Sequence, residues 1–227
     1  MNKKIICFAP HPDDEILGCG GSLLKAKKLG YEIILVYLSF GEYASPTCSP
    51  QNLAKIRKEE TKKIVKFLDV RNVYYLGIPD NQINALDFKS FCVLMKIIRK
   101  EKPSLAYIPH QREASSDHQQ ASLLIQRALG MAASANFNKY GKPWWVGTVL
   151  GYEVWTPLEK YQYGEDISEF IEDKIKCLSL YSSQTSKNGN TSDFIGKKGK
   201  HLSGYRAAMS VGEFREVFEV ITAENLL

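Results

Sequence analysis

Apolar segments with the length and composition of β-strands alternate along this chain with segments that have a helical pattern of apolar residues. The segments predicted as strands are Lys3–Ala9, Glu32–Ser39, Asn72–Leu76, Ser104–Pro109 and Thr148–Trp155. The predicted helices are Glu15–Leu29, Leu53–Leu68, Asp87–Lys100 and Asp117–Ala133. Strands alternating with helices form βαβ units, and the first four strands are apolar almost throughout, as in a sheet covered on both faces. The sequence therefore predicts an α/β fold: a three-layer, doubly wound, Rossmann-like and mostly parallel sheet.

Size and composition exclude several classes of protein. The 227 residues have no composition break, so we expect one domain over residues 1–227, and 44% hydrophobic with 24% charged residues is typical of a globular chain. The net charge of +5 is spread along the chain, which predicts no nucleic-acid partner. The apolar run near the N-terminus is too short for a signal peptide or a membrane span, and the five cysteines form no C-x-x-C pair. We therefore expect a cytoplasmic protein with reduced thiols and no membrane span.

Ligands of doubly wound sheets bind outside the carboxyl ends of the strands. Four polar loops are predicted at that edge: PHPDDE, SFGE, IPDNQ and PHQREASSDH. The first belongs to the stretch CFAPHPDDEILGCGG, which places one histidine and three acidic residues within five positions. Because so dense a polar group costs folding energy unless it is solvated, paired or bound to a ligand, this stretch is the first candidate site.

A strand followed by glycines also suggests a dinucleotide site, with Glu42 as the ribose ligand. The G-x-G-x-x-G frame that begins at Gly18 meets Leu23 where its last glycine belongs, and carboxylates in the first helical turn repel a pyrophosphate. The sequence also lacks a P-loop and a G-x-S-x-G motif. A nucleotide-binding protein is therefore the weaker alternative.

A metal site accounts better for the acidic cluster. Histidine nitrogens and carboxylate oxygens are zinc ligands, and a catalytic zinc site uses about three of them. Pro12 stiffens the turn, so His11 and Asp14 can face one ion while Asp13 stays free beside that ion. Among the other histidines, His118 is favoured as the third ligand because the helix that it begins follows the fourth strand at the same edge. The competing interpretation is that DDE and SSDH only cap helices.

With these residues assembled, the chain resembles the PIG-L/LmbE family of metal-dependent N-deacetylases, which remove acetyl groups from N-acetylglucosamine-type sugars. PHPDDEILGCGG matches the opening signature of that family almost residue for residue. Further motifs follow in the family's order over nearly the whole chain: SFGE, the R-x-x-E of Arg57 and Glu60, GIPDN, the DH of Asp117 and His118, YEVWTPL, K-x-x-x-L-x-x-Y-x-SQ ending at Gln184, YR at Tyr205 and Arg206, and EVF at Glu216 to Phe218.

The resemblance implies a metal-dependent hydrolase that releases acetate and a free amino sugar, with Zn²⁺, or else Fe²⁺ or another divalent ion, as cofactor. The implied roles are metal ligands for His11, Asp14 and His118, general base for Asp13, and sugar contacts for Glu42, Arg57 and Asp80. Asp117 is the candidate to fix the imidazole of its neighbour His118, unless it only caps a helix. Without the resemblance, an exposed loop acid, a surface ion pair and a turn-forming aspartate would explain the three sugar contacts.

One position departs from the family pattern. Many members have H-x-D-H where this chain has Ser115, Ser116, Asp117 and His118, so the upstream histidine is missing. His110 either replaces it as a catalytic donor or is a strand-end residue bonded to the backbone. The missing histidine also makes a catalytically silent sugar-binding protein the main alternative function.

The substrate is expected to be a small-molecule or glycoconjugate amino sugar, and a homo-oligomer is expected on general grounds. The lysine-rich KKGKH, Lys197–His201, either attracts a phosphate or is merely solvated, and residues 188–201 are predicted as a mobile loop. Tyr140, Trp144 and Trp145 either stack on a sugar or belong to the core or a subunit interface.

Overall fold

The structure, a computed structural model, describes residues 3–185, 194–210 and 212–224. The strands are β1 (Lys4–Ala9), β2 (Glu32–Tyr37), β3 (Asn72–Tyr75), β4 (Leu105–Pro109), β5 (Thr148–Tyr152), β6 (Tyr163–Asp166) and β7 (Arg215–Thr222). The helices are α1 (Asp14–Lys28), α2 (Pro50–Leu68), α3 (Phe88–Glu101), α4 (Ser116–Ala133), α5 (Ile171–Leu180), α6 (Ser182–Thr185) and α7 (Phe194–Ala208). No helix in these ranges is long and apolar enough to cross a membrane.

All seven strands form one sheet in the order β3-β2-β1-β4-β5-β7-β6. The first five pair in parallel, whereas β7 pairs antiparallel with both β5 and β6. The strand order reverses at β1, which lies between β2 and β4. Loops on the two sides of this reversal separate and leave a crevice at the carboxyl edge of the sheet.

Side chains of each strand alternate between two apolar cores, one on either face of the sheet. Ile5 and Cys7 of β1 belong to the core covered by α1, α2 and α5, and Ile6 and Phe8 belong to the core covered by α3 and α4. Because both faces are buried, the parallel strands carry almost no polar residues between their ends. The predicted three-layer α/β fold is confirmed.

Helix α1, which begins in the acidic cluster, is kinked at Cys19, where φ is −143° and ψ is 23°. Two N–H groups beyond the kink, those of Gly21 and Ser22, each donate to the Glu216 carboxylate of β7 at 2.8 Å. Before the kink, the Leu17 carbonyl accepts from the buried ammonium of Lys174, which also pairs with Glu216 at 2.7 Å. The C-terminal part of the chain thus satisfies the backbone groups that the kink exposes.

The predicted element positions agree with the structure to within about three residues up to β5, but the fifth strand ends at Tyr152 and not at Trp155. The segment predicted as a loop over residues 188–201 differs more. Residues 194–201 belong to α7, and residues 188–193 lie outside the described residues. The sequence patterns also gave no sign of the antiparallel strands β6 and β7.

Candidate metal centre and active site

Three loops and the first turns of two helices meet at the carboxyl edge of the sheet. The loop after β1 carries His11 and Asp13, and α1 begins there with Asp14. The loop after β3 carries Asp80, and α4 begins after the β4 loop and carries Asp117 and His118. These side chains come together because β1 and β4 are adjacent parallel strands with carboxyl ends at the same edge.

His11, Asp14 and His118 form a compact group of metal-ligand atoms. Asp14 Oδ2 lies 3.3 Å from His11 Nδ1 and 3.1 Å from His118 Nε2. All three residues offer ligand atoms within 4.8 Å of one another. The ligand set expected from the sequence is therefore assembled in space, although its occupation by a metal stays a prediction.

The spacing and chemistry of this group fit a divalent ion. Tetrahedral zinc with bonds of about 2.0 to 2.1 Å places neighbouring ligand atoms about 3.3 Å apart, close to the two distances to Asp14 Oδ2. His118 is buried, and within the described residues neither of its ring nitrogens makes a well-formed hydrogen bond, although Nε2 lies close to Asp14 Oδ2. A buried imidazole without a well-formed hydrogen bond is costly, and a bond to a metal ion would compensate for it. Burial acts to raise the pKa of Asp14, but the charges of His118 and His11 overcome it and hold the pKa well below its usual range.

Two further carboxylates contact the other side of the His11 ring. His11 Nε2 lies 3.2 Å from Asp80 Oδ1 and 3.2 Å from Asp117 Oδ2. Burial acts to raise the pKa of Asp80, but its contacts with His11 lower that pKa below its ordinary value. When His11 carries its proton on Nε2 and shares it with these two carboxylates, Nδ1 has a free lone pair. This lone pair points toward the side of the ring where Asp14 lies.

His11, Asp80 and Asp117 also have the spacing of a metal-ligand group. The Asp117 carboxylate, however, already accepts the N–H groups of Asn81 at 2.9 Å and Ile83 at 3.4 Å. Since the His118 ring makes no hydrogen bond to the backbone of the described residues, the group with His118 is the better candidate for the ion.

The imidazole of His118 faces Glu113, a residue that the sequence analysis did not single out. Glu113 Oε2 lies 4.0 Å from His118 Nδ1, whereas the Asp117 carboxylate lies against His11 instead of its sequence neighbour. Glu113 is buried and binds the loop after β5. It accepts the backbone N–H groups of Val154, Trp155 and Thr156. In the sequence, the only sign of this position was that Glu113 is an acidic residue of PHQREASSDH, a loop predicted to lie at this edge of the sheet.

Asp13 stands at the N-terminus of α1 with a φ of 114°, a conformation that is strained for a residue other than glycine. Its side chain makes no capping hydrogen bond, and neither does that of Ser115 before α4. Side-chain capping therefore explains neither Asp13 nor Ser115, although the Glu15 carboxylate accepts the backbone N–H of Asp13 at 3.1 Å. Burial raises the pKa of Asp13 to about 7, against the opposing charge of Arg57. A carboxylate with this pKa can accept and return a proton near neutral pH.

Arg57 is a buried residue of α2 and not a member of a surface ion pair. Its Nη1 donates to the carbonyls of Phe40 at 3.3 Å and Pro12 at 3.5 Å. Gly41 has a φ of +62°, and a Cβ at that position would lie 2.1 Å from Arg57 Nη1, so a larger residue there would be strained and would displace the guanidinium. Arg57 therefore joins the loops after β1 and β2, and its contact with a sugar stays a prediction.

Glu42 joins the loops after β2 and β3. Its Oε1 accepts the N–H of Asp80 at 3.0 Å, and its Oε2 accepts the Ser39 hydroxyl at 3.3 Å. Glu42 is partly exposed, while Asp80 is 7% exposed and contacts His11. Their predicted sugar contacts likewise stay predictions.

His110 has the contacts of a strand-end residue bonded to the backbone, one of its two interpretations. Its Nδ1 accepts the N–H of Arg112 at 3.2 Å, so Nε2 carries the proton and donates to the Thr156 carbonyl at 2.9 Å. The ring is 1% exposed and lies 3.3 Å from Glu113. Its catalytic role stays a prediction, because a donation to substrate would have to replace the bond to Thr156.

The three aromatic residues considered for sugar stacking precede β5 and therefore lie at the amino edge of the sheet. Trp144 and Tyr140 pack against the core of α3 and α4, and Trp144 Nε1 donates to the Pro103 carbonyl at 2.8 Å. Trp145 is exposed at the same edge. All three are remote from the candidate metal centre, which is at the carboxyl edge.

Comparison with protein families places these residues in a known context. The sequence model of the PIG-L family, GlcNAc-PI de-N-acetylase, matches residues 6–129, more than half of the chain. The matched range contains every site residue named above.

Individual relatives agree with this match. The diacetylchitobiose deacetylase of Thermococcus kodakarensis is 28% identical over 192 residues, which cover 80% of this chain and 70% of the relative. The probable N-acetyl-α-D-glucosaminyl L-malate deacetylase 2 of Bacillus subtilis is 27% identical, over 82% of this chain and 85% of the relative. The structure of N,N′-diacetylchitobiose deacetylase from Pyrococcus horikoshii superposes with a TM-score of 0.86 at 24% identity, over 96% of this chain and 84% of that chain. At this identity the superposition shows a shared fold.

Proposed function

Since the chain belongs to the PIG-L family, we propose that it is a metal-dependent N-deacetylase that removes the acetyl group from an N-acetylglucosamine-type sugar. The products are acetate and a free amino sugar. The observation that carries the proposal is the assembly of His11, Asp14 and His118 around one point, with the uncommitted carboxylate of Asp13 beside it.

His11, Asp14 and His118 would hold the metal ion, with Zn²⁺ as our first choice and Fe²⁺ or another divalent ion as the alternative. When bound, such an ion supplies Lewis acidity, which makes water a better nucleophile and polarises an amide carbonyl. Asp80 and Asp117 orient the His11 ring, and Glu113 faces the ring of His118. These contacts keep both imidazoles in place for the ion.

Asp13 acts as the general base and then as the general acid. It takes a proton from the attacking water at a carboxylate oxygen and returns it to the sugar nitrogen as the C–N bond breaks. Burial favours the protonated form of Asp13, whereas the positive charge of Arg57 favours the ionised form, so both forms are accessible during the reaction. We also propose that the side chains of Arg57, Glu42 and Asp80 contact the sugar, in addition to holding the surrounding loops together. A cytoplasmic location and a homo-oligomer stay predictions.

The test is a measurement of acetate release by protein that has been stripped of metal and reloaded with one ion at a time. Zinc-loaded or iron-loaded protein should bind one ion per chain and deacetylate at least one member of a panel of N-acetylglucosamine derivatives. The stripped protein is the control and should be inactive. Stoichiometric metal binding without acetate release from any member of the panel would favour the catalytically silent sugar-binding alternative.

A further inference from the structure

A pocket beside the candidate metal centre has walls of aromatic and basic residues. Its volume is about 490 Å³, and α7 and the loop after β5 form its walls. Trp155 and Tyr205 are 43% and 57% exposed, more than most aromatic residues of a folded chain. The basic members of the lining are Lys197, Lys198 and His201. Among the described residues that line the pocket, none is acidic.

The pocket and the metal centre share one supporting residue. Glu113 Oε2 accepts the N–H of Trp155 at 2.9 Å and lies 4.0 Å from His118 Nδ1. Helix α7 is fixed to the same loop by the buried pair of Arg206 and Glu153, with Arg206 Nη2 and Glu153 Oε2 2.6 Å apart. The wall of the pocket is therefore separated from a candidate metal ligand by one side chain, that of Glu113.

Lys198 is the most constrained cation of this wall. Its ammonium lies 3.6 Å from the centroid of the Trp155 ring, a cation–π contact. Within the described residues, no carboxylate lies at ion-pair distance from it, whereas Lys200 on the same helix pairs with Glu172 at 3.3 Å. Burial lowers the pKa of Lys198, opposed by the charges of Glu113, Asp14 and Asp13 across the boundary to the metal centre. A half-buried ammonium without an anionic partner can gain much from an anionic ligand.

We propose that this pocket binds an anionic group, a carboxylate or a phosphate, on the non-reacting part of the substrate, which is the aglycone of an N-acetylglucosamine-type sugar. The inference rests on the proposed deacetylase function, which it deepens. Acidic residues surround the reacting acetamide, which is neutral, and basic residues line the adjoining pocket. A substrate with an anion on the far side of the sugar matches this charge distribution, and the exposed rings of Trp155 and Tyr205 offer apolar surfaces to the rest of the aglycone.

The test compares three probes that differ at the anomeric position. Methyl N-acetylglucosaminide is the neutral probe, N-acetylglucosamine 1-phosphate carries a phosphate, and N-acetylglucosaminyl malate carries carboxylates. The variants are Lys198→Met, Lys198→Arg and the matched control Lys200→Met, each checked for folding by its melting temperature. The ratio of kcat/KM for each anionic probe to that for the neutral probe is measured. Calorimetry with glucosamine 1-phosphate and glucosaminyl malate gives affinity without turnover.

The wild-type protein should prefer at least one anionic probe. In Lys198→Met the preference should fall by about 10- to 100-fold, the usual value of a charge-assisted hydrogen bond, while Lys198→Arg restores most of it and Lys200→Met leaves it unchanged. The preferred anionic probe then identifies the group as carboxylate or phosphate. An equal loss for neutral and anionic probes, or a wild-type preference for the neutral one, overturns the proposal. If no probe releases acetate but the anionic sugars bind in a Lys198-dependent way, the deacetylase function fails and the anionic pocket stands.

Discussion

Buried carboxylates around His11 and His118 differ in what already occupies their oxygen atoms. Glu113 and Asp117 accept several backbone N–H groups from loops of other strands. Asp14 accepts one, from His11, and no hydrogen bond to the Asp13 carboxylate is present within the described residues. The first two therefore build the site, and the last two are free for an ion and a proton. This distinction gives each residue a different expected mutant phenotype.

Replacing the proposed base should separate metal binding from catalysis. Asp13→Asn keeps the size of the side chain and a residue type that tolerates positive φ, so fold and metal content should persist. Since asparagine cannot accept the proton, kcat should fall by about 10²- to 10⁴-fold. Asp69→Asn is the matched control, an exposed aspartate that also has a positive φ, and its kcat should not change. Full activity of Asp13→Asn would exclude the assigned role.

Removal of the third ligand should abolish metal binding and activity together. His118→Ala takes away a buried imidazole whose nitrogens make no well-formed hydrogen bond in the described part of the chain and lie near the carboxylates of Asp14 and Glu113. Metal content per chain, measured by elemental analysis, should fall well below that of Asp13→Asn, which serves as its control. Retention of one ion per chain would mean that another residue completes the site.

A substitution of His110 can distinguish a structural role of this residue from a catalytic one. Its two backbone hydrogen bonds predict that His110→Ala lowers the free energy of unfolding by about 1 to 3 kcal/mol. If support is its main role, kcat falls by much less than the 10²- to 10³-fold that follows the loss of an oxyanion donor. Denaturant unfolding and kcat measured on the same sample distinguish the two. A large fall in kcat at unchanged stability would establish the catalytic role expected from the missing histidine.

At the scale of elements, α1 and α3 begin in different ways. The first residue before α3, Asp87, caps it by accepting the N–H groups of Lys89 at 3.3 Å and Ser90 at 2.9 Å. The corresponding residue before α1, Asp13, makes no such bond. Two aspartates at equivalent positions thus have different roles: Asp87 caps its helix, whereas the Asp13 side chain does not. Only Asp13 lies in the crevice between β1 and β4.

Asp87→Ala should lower the free energy of unfolding by about 1 kcal/mol at pH 7, while Asp87→Asn keeps the cap and loses less. Hydrogen bonds from the Ser90 side chain and from the Ser90 and Lys89 N–H groups lower the pKa of Asp87 below its ordinary 3.8. Because the folded pKa is the lower one, the charged cap stabilises the fold above pH 3.8 and loses this effect as the pH falls through the folded pKa. The difference between wild type and Asp87→Ala, from denaturant unfolding at several pH values, should therefore shrink in acid. A constant difference would show that the charge contributes nothing.

At the scale of the whole molecule, the ends of the chain depend on each other. The acidic cluster begins a kinked helix, and Glu216 and Lys174, about two hundred residues and one hundred and sixty residues further on, bind the backbone groups at the kink. Tyr181 likewise donates to Glu15 next to the candidate metal centre. Several family motifs late in the chain therefore hold the first one in position.

Breaking the buried ion pair between Lys174 and Glu216 should destabilise the protein strongly. Lys174→Met leaves the Glu216 carboxylate buried without its cation, so the free energy of unfolding should fall by about 3 to 5 kcal/mol. Lys176→Met is the matched control on the same helix, where an exposed pair with Asp173 should contribute less than about 1 kcal/mol. Denaturant unfolding measures both. Equal effects of the two substitutions would contradict a structural role for the buried pair.

The sequence by itself determined the fold class, the positions of the first nine elements and the residues of a candidate metal-ligand set. Strand and helix periodicities are local properties, and the connection rules of parallel sheets then place the loop of His11 and the helix of His118 at one edge. His11 and Asp14 are three residues apart, so their approach is also a local matter. For these reasons the candidate metal-ligand set could be predicted from the sequence.

Only the tertiary structure decided which side chains support that set. Asp117 lies against His11 and not beside its neighbour His118, and Glu113 takes the place next to His118. Lys198 reaches the Trp155 ring because the C-terminal strands and α7 fold back onto the β5 loop. Contacts of this kind join residues far apart in the chain, and no local pattern encodes them. They follow from the packing of whole elements, which selects one partner among many residues of similar chemistry.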